Sequence, residues 1–574
     1  MAEPKDQPDE QYADLEDESN ETAPLTGGPS VAAARSYLVP KLPSYHLDVL
    51  GCSLRLMSGL VPSFITNHAA TTPSKSGIAA LDGLRGLACL FVFNEHYVIC
   101  YQSVRTQVWI MRVPFIRLLW YGKAAVFLFF VISGYVLSYK PLRLIRSKSW
   151  LDFQKSISSS FLRRAMRLYL PCLVVSFVAC WLTYFGLYDR SAQIYAHYRN
   201  FVFLKEEPPP RLGLHDQLKG YLANVEFLFS ATIPFDKDTD VLHYFMYDDH
   251  QWTIPKEFRS SMVVFAVLVT TSRMRSLLRM LLITVLCFYS IYTFRLYTSL
   301  FFAGMVCAEL DLIRASYYSQ YKDALPDFVN EKQPTGSSRL LHLPNLFYKV
   351  MWAFLFVAGV FMISSPQEIQ ETPNWLPTLV HNWGIVAVDD SILFVGAVLT
   401  VWSVAACPSL GPIFNNPVVA YLGKISYSLY LVHGTVIKSL GYNILPWSLR
   451  LATWTPNSVE LNLEWWDAVP NWQKVLAHLI GWAFVGTTCF WLSDLFWRFV
   501  DIPCVSFARS VETWVTKGAD VEDFRSDSVP RPMEPRRRGE SVAAGSTHVR
   551  SGSHFGGQLL LTESSPNGAK RKNG

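Results

Sequence analysis

The 574-residue chain is half apolar, with 17% charged and 14% aromatic residues and a net charge of +5. That is more apolar surface than a soluble domain of this length can bury, so a soluble globular protein is excluded and a polytopic membrane protein is expected. The positive excess sits at the edges of apolar runs and in the tails, and gives no footprint of a nucleic-acid partner.

In chain order, residues 1–36 are acidic and rich in Pro, Ser and Gly, and read as a disordered tail. Residues 37–79 mix Leu, Val and Tyr with Lys41 and Arg55, as a linker lying on the membrane surface would. No apolar run before residue 50 has the flanks of a cleavable signal, so the first span is expected to serve as the insertion signal. Apolar stretches near 81–101, 119–139, 168–187, 258–271, 277–294, 296–313, 348–364, 392–406, 418–440 and 475–497 predict an all-α bundle of about ten transmembrane helices over residues 80–503. Several are shorter than the ~20 residues that a ~30 Å hydrocarbon core takes. Residues 504–574, with Arg536 to Arg538 and a Ser/Gly-rich end, read as a disordered cytoplasmic tail.

Basic residues stay on the cytoplasmic side. Eight of them lie between Lys140 and Arg167 against the single acid Asp152, and Arg273, Arg275 and Arg279 lie between spans four and five. The loop after span seven carries Glu368, Glu371, Asp389 and Asp390 with no Lys or Arg. Both termini are then expected in the cytoplasm, in either the plasma membrane or an endomembrane. Residues 188–251 become a large extracytoplasmic loop, with three prolines at 208–210 and a helical-looking stretch from Gly220 that suits a re-entrant or interfacial helix over a site. Most of the ten cysteines, among them Cys89, Cys172 and Cys489, fall within apolar runs without a CxxC pair, which predicts packing residues and neither a disulfide framework nor a zinc site.

Ionisable residues inside apolar runs are costly and mark function. Leu81 to His96, LDGLRGLACLFVFNEH, holds Asp82, Arg85 and His96. Arg85 and His96 share one helix face roughly 16 Å apart. Further strings are FLFFVISGY (Phe127–Tyr135), FLRRAMRLYLP (Phe161–Pro171), WTIPKEF (Trp252–Phe258) and YLGKISYSLYLVH (Tyr421–His433). Together, in this order over about residues 80–497, they resemble the signatures of the membrane acyltransferase-3 family, in a fungal-type member.

The resemblance implies transfer of an acyl group, expected to be acetyl, from a coenzyme A thioester to a hydroxyl of a glycan, lipid or small natural product. Acyl-CoA, a hydroxyl-bearing acceptor and membrane lipids are the expected partners; no tightly bound cofactor and no metal are expected, and homo-oligomer formation stays open. A histidine with an ordinary pKa near 6.5 can remove the acceptor proton, which makes His96 the candidate general base. Arg85 either neutralises Asp82 or holds the donor, and the resemblance makes it a required partner of His96. Arg163, Arg164 and Arg167 are candidates for the donor's phosphates, although positive-inside bias alone also explains them.

Ser133 and Tyr135 are expected to shape the donor site; Ser133 lacks the Gly-x-Ser-x-Gly surroundings of an acylated nucleophile. Glu257 is expected to orient His96 or bind acceptor hydroxyls, Trp252 to stack on the acceptor, and His433 to line the pocket or simply to pack. His243 and Asp248 have the HisX4Asp spacing of glycerolipid acyltransferases, but Leu242 stands where that motif has asparagine, and the match reads as coincidence. The rival readings are a membrane-bound O-acyltransferase of the other fold, and a carrier lined by buried Arg, Glu and His residues.

Overall fold

The computed structural model describes residues 61–66, 77–100, 108–199, 204, 206–230, 246–323, 339–365 and 388–516. Every regular element among them is helical. The longer helices are α1 (Gly77–Ile99), α2 (Gly122–Arg146), α3 (Trp150–Tyr184), α4 (Asp189–Tyr198), α5 (Leu214–Ser230), α6 (Thr253–Thr271), α7 (Ser276–Tyr292), α8 (Leu296–Asp323), α9 (Arg339–Ile363), α10 (Val388–Ala406), α11 (Pro417–Val436), α12 (Tyr442–Thr453), α13 (Asn471–Phe496) and α14 (Ile502–Thr516).

A helix lies at each of the ten apolar runs, yet by length and apolarity four segments qualify on their own as membrane spans: Gly122–Arg146, Trp150–Tyr184, Leu296–Tyr317 and the continuous stretch Asn471–Thr516. A fifth qualifies if Asp390–Ala406 and Pro408–Phe414, bent by 93°, count as one. Of the remainder, α7 is brief at 17 residues, whereas α1, α6 and α11, with 23, 19 and 20 residues, are long enough and fall short on apolarity or charge.

The helix α1 packs on α11 through small residues on both sides. A Cβ on Gly423 would lie 2.6 Å from the Asp82 carbonyl oxygen, and one on Gly86 would collide with the Gly423 backbone. The start of α11 is fixed by Asn416, whose side chain accepts from the Val419 amide, and by Pro417 in the first turn. Its far end runs through a π-helical turn, Ile437–Gly441, into α12. A buried ion triad ties α2, α7 and α8: Glu309 accepts from Arg146 at 2.8 Å and from Arg279 at 2.7 Å.

Two boundaries differ from expectation. The tail expected from 504 is helical to Thr516, because α14 continues α13 through a second π-helical turn and Glu512 pairs with Arg163 at 3.2 Å. The helix of span three begins well before its basic string. The α3 helix begins at Trp150, so Arg164 lies about four turns inside it. The stretch from Gly220 falls within α5. Residues 1–36 and 517–574 lie outside the described residues.

Candidate active site

His96 sits near the end of α1, and its Nδ1 lies 2.7 Å from Oε1 of Glu206. A carboxylate can only accept, so Nδ1 carries the proton and donates, which leaves the Nε2 lone pair free. Glu206 Oε1 also accepts from Nε2 of His250 at 3.1 Å, and His250 Nδ1 donates to Asp248 Oδ1 at 2.5 Å. His433, from α11, donates through Nδ1 to the Tyr430 carbonyl at 2.7 Å; its Nε2 is buried without a hydrogen-bond partner among the described residues. The ring of His96 stands 4.0 Å from that of His250 and 5.3 Å from that of His433, measured between centroids.

The loop between α3 and α6 therefore delivers three charged groups onto two bundle helices. Tyr430 donates to the His250 carbonyl, and Tyr442 donates to the Glu206 carbonyl at 2.7 Å, so hydroxyls of α11 and α12 pin both loop segments. Burial opposes the charging of His250, but the carboxylates of Glu206 and Asp248 outweigh it and push the imidazole up to about 10. Burial works against Glu206 as well, and the two histidines on it hold its carboxyl well below the usual range. The cluster thus reads as carboxylate, imidazolium, carboxylate, with His96 Nδ1 donating to the last of them.

His96, His250 and His433 each offer a nitrogen within 4.8 Å of the others, and Glu206 stands among them. A tetrahedral zinc ion would need those atoms at about 2.0–2.1 Å from one point and stripped of protons. With a carboxylate on each of its nitrogens, His250 favours the imidazolium over a metal ligand.

The other candidates form a second group. Glu257 accepts from Arg164 at 2.8 Å and from Ser133 at 3.2 Å, and Arg164 also donates to Ser261 at 2.6 Å. Ser133, Glu257 and Arg164, singled out separately in the sequence, are thus one network, and the carboxylate on His96 is Glu206. Arg85 bridges Asp82 at 3.2 Å and Ser426 at 3.2 Å. Asp501 lies within electrostatic reach of Arg167 and Arg85. Tyr135 donates to Asp311 at 3.0 Å. Trp252 has Tyr297 and the Lys256 ammonium as its ring partners, at 5.5 and 4.8 Å.

Glu206, Asp248 and His250 were missed from sequence. Glu206 opens an acidic, proline-rich stretch and His250 follows two aspartates, patterns that read as solvated loop. Asp248 was noted as one of the loop's acids and for its spacing from His243, which lies outside the described residues, and not as a partner of His250.

A partly exposed imidazole with a carboxylate on one nitrogen and the other nitrogen open, set in a bundle of apolar helices, has the parts that proton transfer at a membrane needs. The sequence identifies the chemistry: residues 78–498 match the family model described as an acyltransferase domain, and the chain belongs to this acyltransferase-3 family of enzymes. The chain is 30% identical over 404 residues to the O-acetyltransferase PaAT-1 of Phomopsis amygdali, covering 67% of this chain and 76% of that protein. It is 24% identical over 421 residues to the acyltransferase clz18 of Cochliobolus lunatus, covering 66% and 87%. It is also 23% identical over 423 residues to the acyltransferase R4 of a Phoma species, again covering 66% and 87%. No solved structure matches the chain.

Proposed function

We propose that this integral membrane acyltransferase moves an acetyl group from acetyl-CoA to a hydroxyl of a small natural product, lipid or glycan, with His96 as general base. The observation that carries the reading is the 2.7 Å bond from His96 Nδ1 to Glu206, which frees Nε2 to accept. In the reaction the acceptor oxygen attacks the thioester carbonyl as its proton passes to Nε2. The C–S bond then breaks, the new ester leaves, and the coenzyme A thiolate takes the proton back from the imidazolium. Glu206 stabilises that imidazolium in between.

The donor's phosphates are assigned to Arg85, about three helical turns from His96 on α1, with Arg167, which shares Asp501 with it, and Arg163; Arg164, with Glu257 and Ser133, shapes the wall beside them. Tyr135 supports that wall through Asp311. His433 Nε2, buried and lacking a donor, suits the acceptor hydroxyl, and Trp252 flanks the same loop. Termini and donor face the cytosol in this reading, and the loop over residues 188–251 faces away. The relative named as an O-acetyltransferase supports acetyl as the group transferred.

The test is thiol release from acetyl-CoA by purified protein in nanodiscs, with and without a panel of hydroxyl acceptors. His96→Ala is expected to lose on the order of 10²–10⁴-fold in turnover while still binding donor. Equal turnover in the variant would overturn the assignment of the base.

A further inference from the structure

Resting on that reading, a further question is what holds His96 in the tautomer it needs. We propose that His250 and Asp248 are positioning residues that fix which nitrogen of His96 is free to accept the acceptor's proton, and that Gly434 is the notch in which they are seated.

Glu206 is 12% exposed at its side chain and Asp248 2%, so two carboxylates share one buried site. Neither could stay ionised without a cation between them. His250, 4% exposed at its side chain, is that cation: one nitrogen donates to each carboxylate. The three groups together carry one negative charge, which protonation of His96 during the reaction would neutralise.

Without the imidazolium, Glu206 would gain a proton. A carboxylic acid there would donate to His96 Nδ1, move the ring proton to Nε2 and close the lone pair that the chemistry uses. Other groups facing Glu206 are Cys100 from α1, Asp249 from the loop, His433 from α11 and Tyr442 from α12. Lys438, from the π-helical turn, lies 3.9 Å from Asp249. None of these bonds the Glu206 carboxylate, whereas His250 and His96 both do.

The seat for the pair is equally specific. A Cβ on Gly434 would collide with His250 Nδ1 and lie 2.7 Å from Asp248 Oδ1. Gly434 is helical and follows His433 directly, so one turn of α11 presents His433 and makes room for the charged pair. Alanine is a better helix former than glycine, so Gly434→Ala leaves α11 sound and displaces what lies on it.

The experiment compares wild type, His250→Gln, Asp248→Asn and Gly434→Ala in nanodiscs between pH 5 and 9. Two readouts are taken: thiol release from acetyl-CoA, and the rate at which diethylpyrocarbonate modifies His96, followed by mass spectrometry and independent of turnover. All three variants are expected to lower kcat with KM for acetyl-CoA unchanged. In His250→Gln the acid limb should move up by a unit or more for both readouts, a loss of about tenfold one unit below the new midpoint. The change should also fail to add to that of Glu206→Gln.

A folded His250→Gln protein with wild-type pH dependence of His96 modification would overturn the proposal. If His250→Gln does not fold, Gly434→Ala decides on the same readouts. Should His96→Ala keep full turnover, the general-base reading fails with it; should His96→Ala be inactive and His250→Gln unaltered, only the positioning role fails.

Discussion

On His96 the two ring nitrogens have different neighbours, and the difference sets what the residue can do. Nδ1 is committed to Glu206, and the proton it carries keeps Nε2 open. Glu206→Gln replaces an obligate acceptor by an amide that can also donate, so the ring can turn its proton to the wrong nitrogen. Turnover is expected to fall on the order of 10²–10⁴-fold, as when a serine-protease histidine loses its orienting carboxylate. Acetyl-CoA binding by calorimetry should be unchanged; weakened donor binding would place Glu206 elsewhere in the mechanism. His96 and Arg85 were legible in the sequence because an ionisable group inside an apolar run stands out. Glu206 and His250 were not, since their surroundings are polar and only the folded chain shows that they are buried.

Among the elements, α3 shows why helix position was easier to read than helix extent. Its apolar run from Leu168 was visible, but the helix starts at Trp150 and runs 35 residues, about 52 Å, well beyond a ~30 Å core. The polar first half carries no apolar signal, and Arg164 was therefore read as a mouth residue and not as the partner of Glu257. One acid between two arginines joins α2, α7 and α8, in addition to the apolar packing between α2 and α8, and Glu309 is fully buried. Glu309→Gln leaves the Arg279 guanidinium inside the bundle without its counter-charge. The expected cost is about 3–5 kcal/mol, read as a lowered midpoint of thermal aggregation in detergent, with donor affinity unchanged where the variant stays folded. An unaltered midpoint would mean that water or lipid reaches this triad.

For the molecule as a whole, the ion chain on the loop makes stability depend on pH in a stated direction. His250 is raised in the folded protein from 6.5 to about 10, so its contribution is full below pH 6.5 and is lost as pH rises through about 10. Glu206 is depressed below 4.5, and its contribution fades only as pH falls beneath that value. The difference in thermal midpoint between wild type and His250→Gln is therefore expected to be greatest near pH 5–6.5 and to vanish above about 10. A constant difference across that range would show that the imidazole is not charged in the fold.

The long separations along the chain also fix when a working site can first exist. Glu206 lies 110 residues after His96, and Ser426, which holds Arg85, lies 341 residues after that arginine. As the ribosome makes the chain, α1 emerges with its arginine and histidine still waiting for these partners, and α11 must emerge before both have them. If His96 is the base proposed above, a nascent chain is catalytically silent until most of it has been made, and the acyl donor meets a histidine with all its partners only in a molecule whose ninth apolar helix has been made.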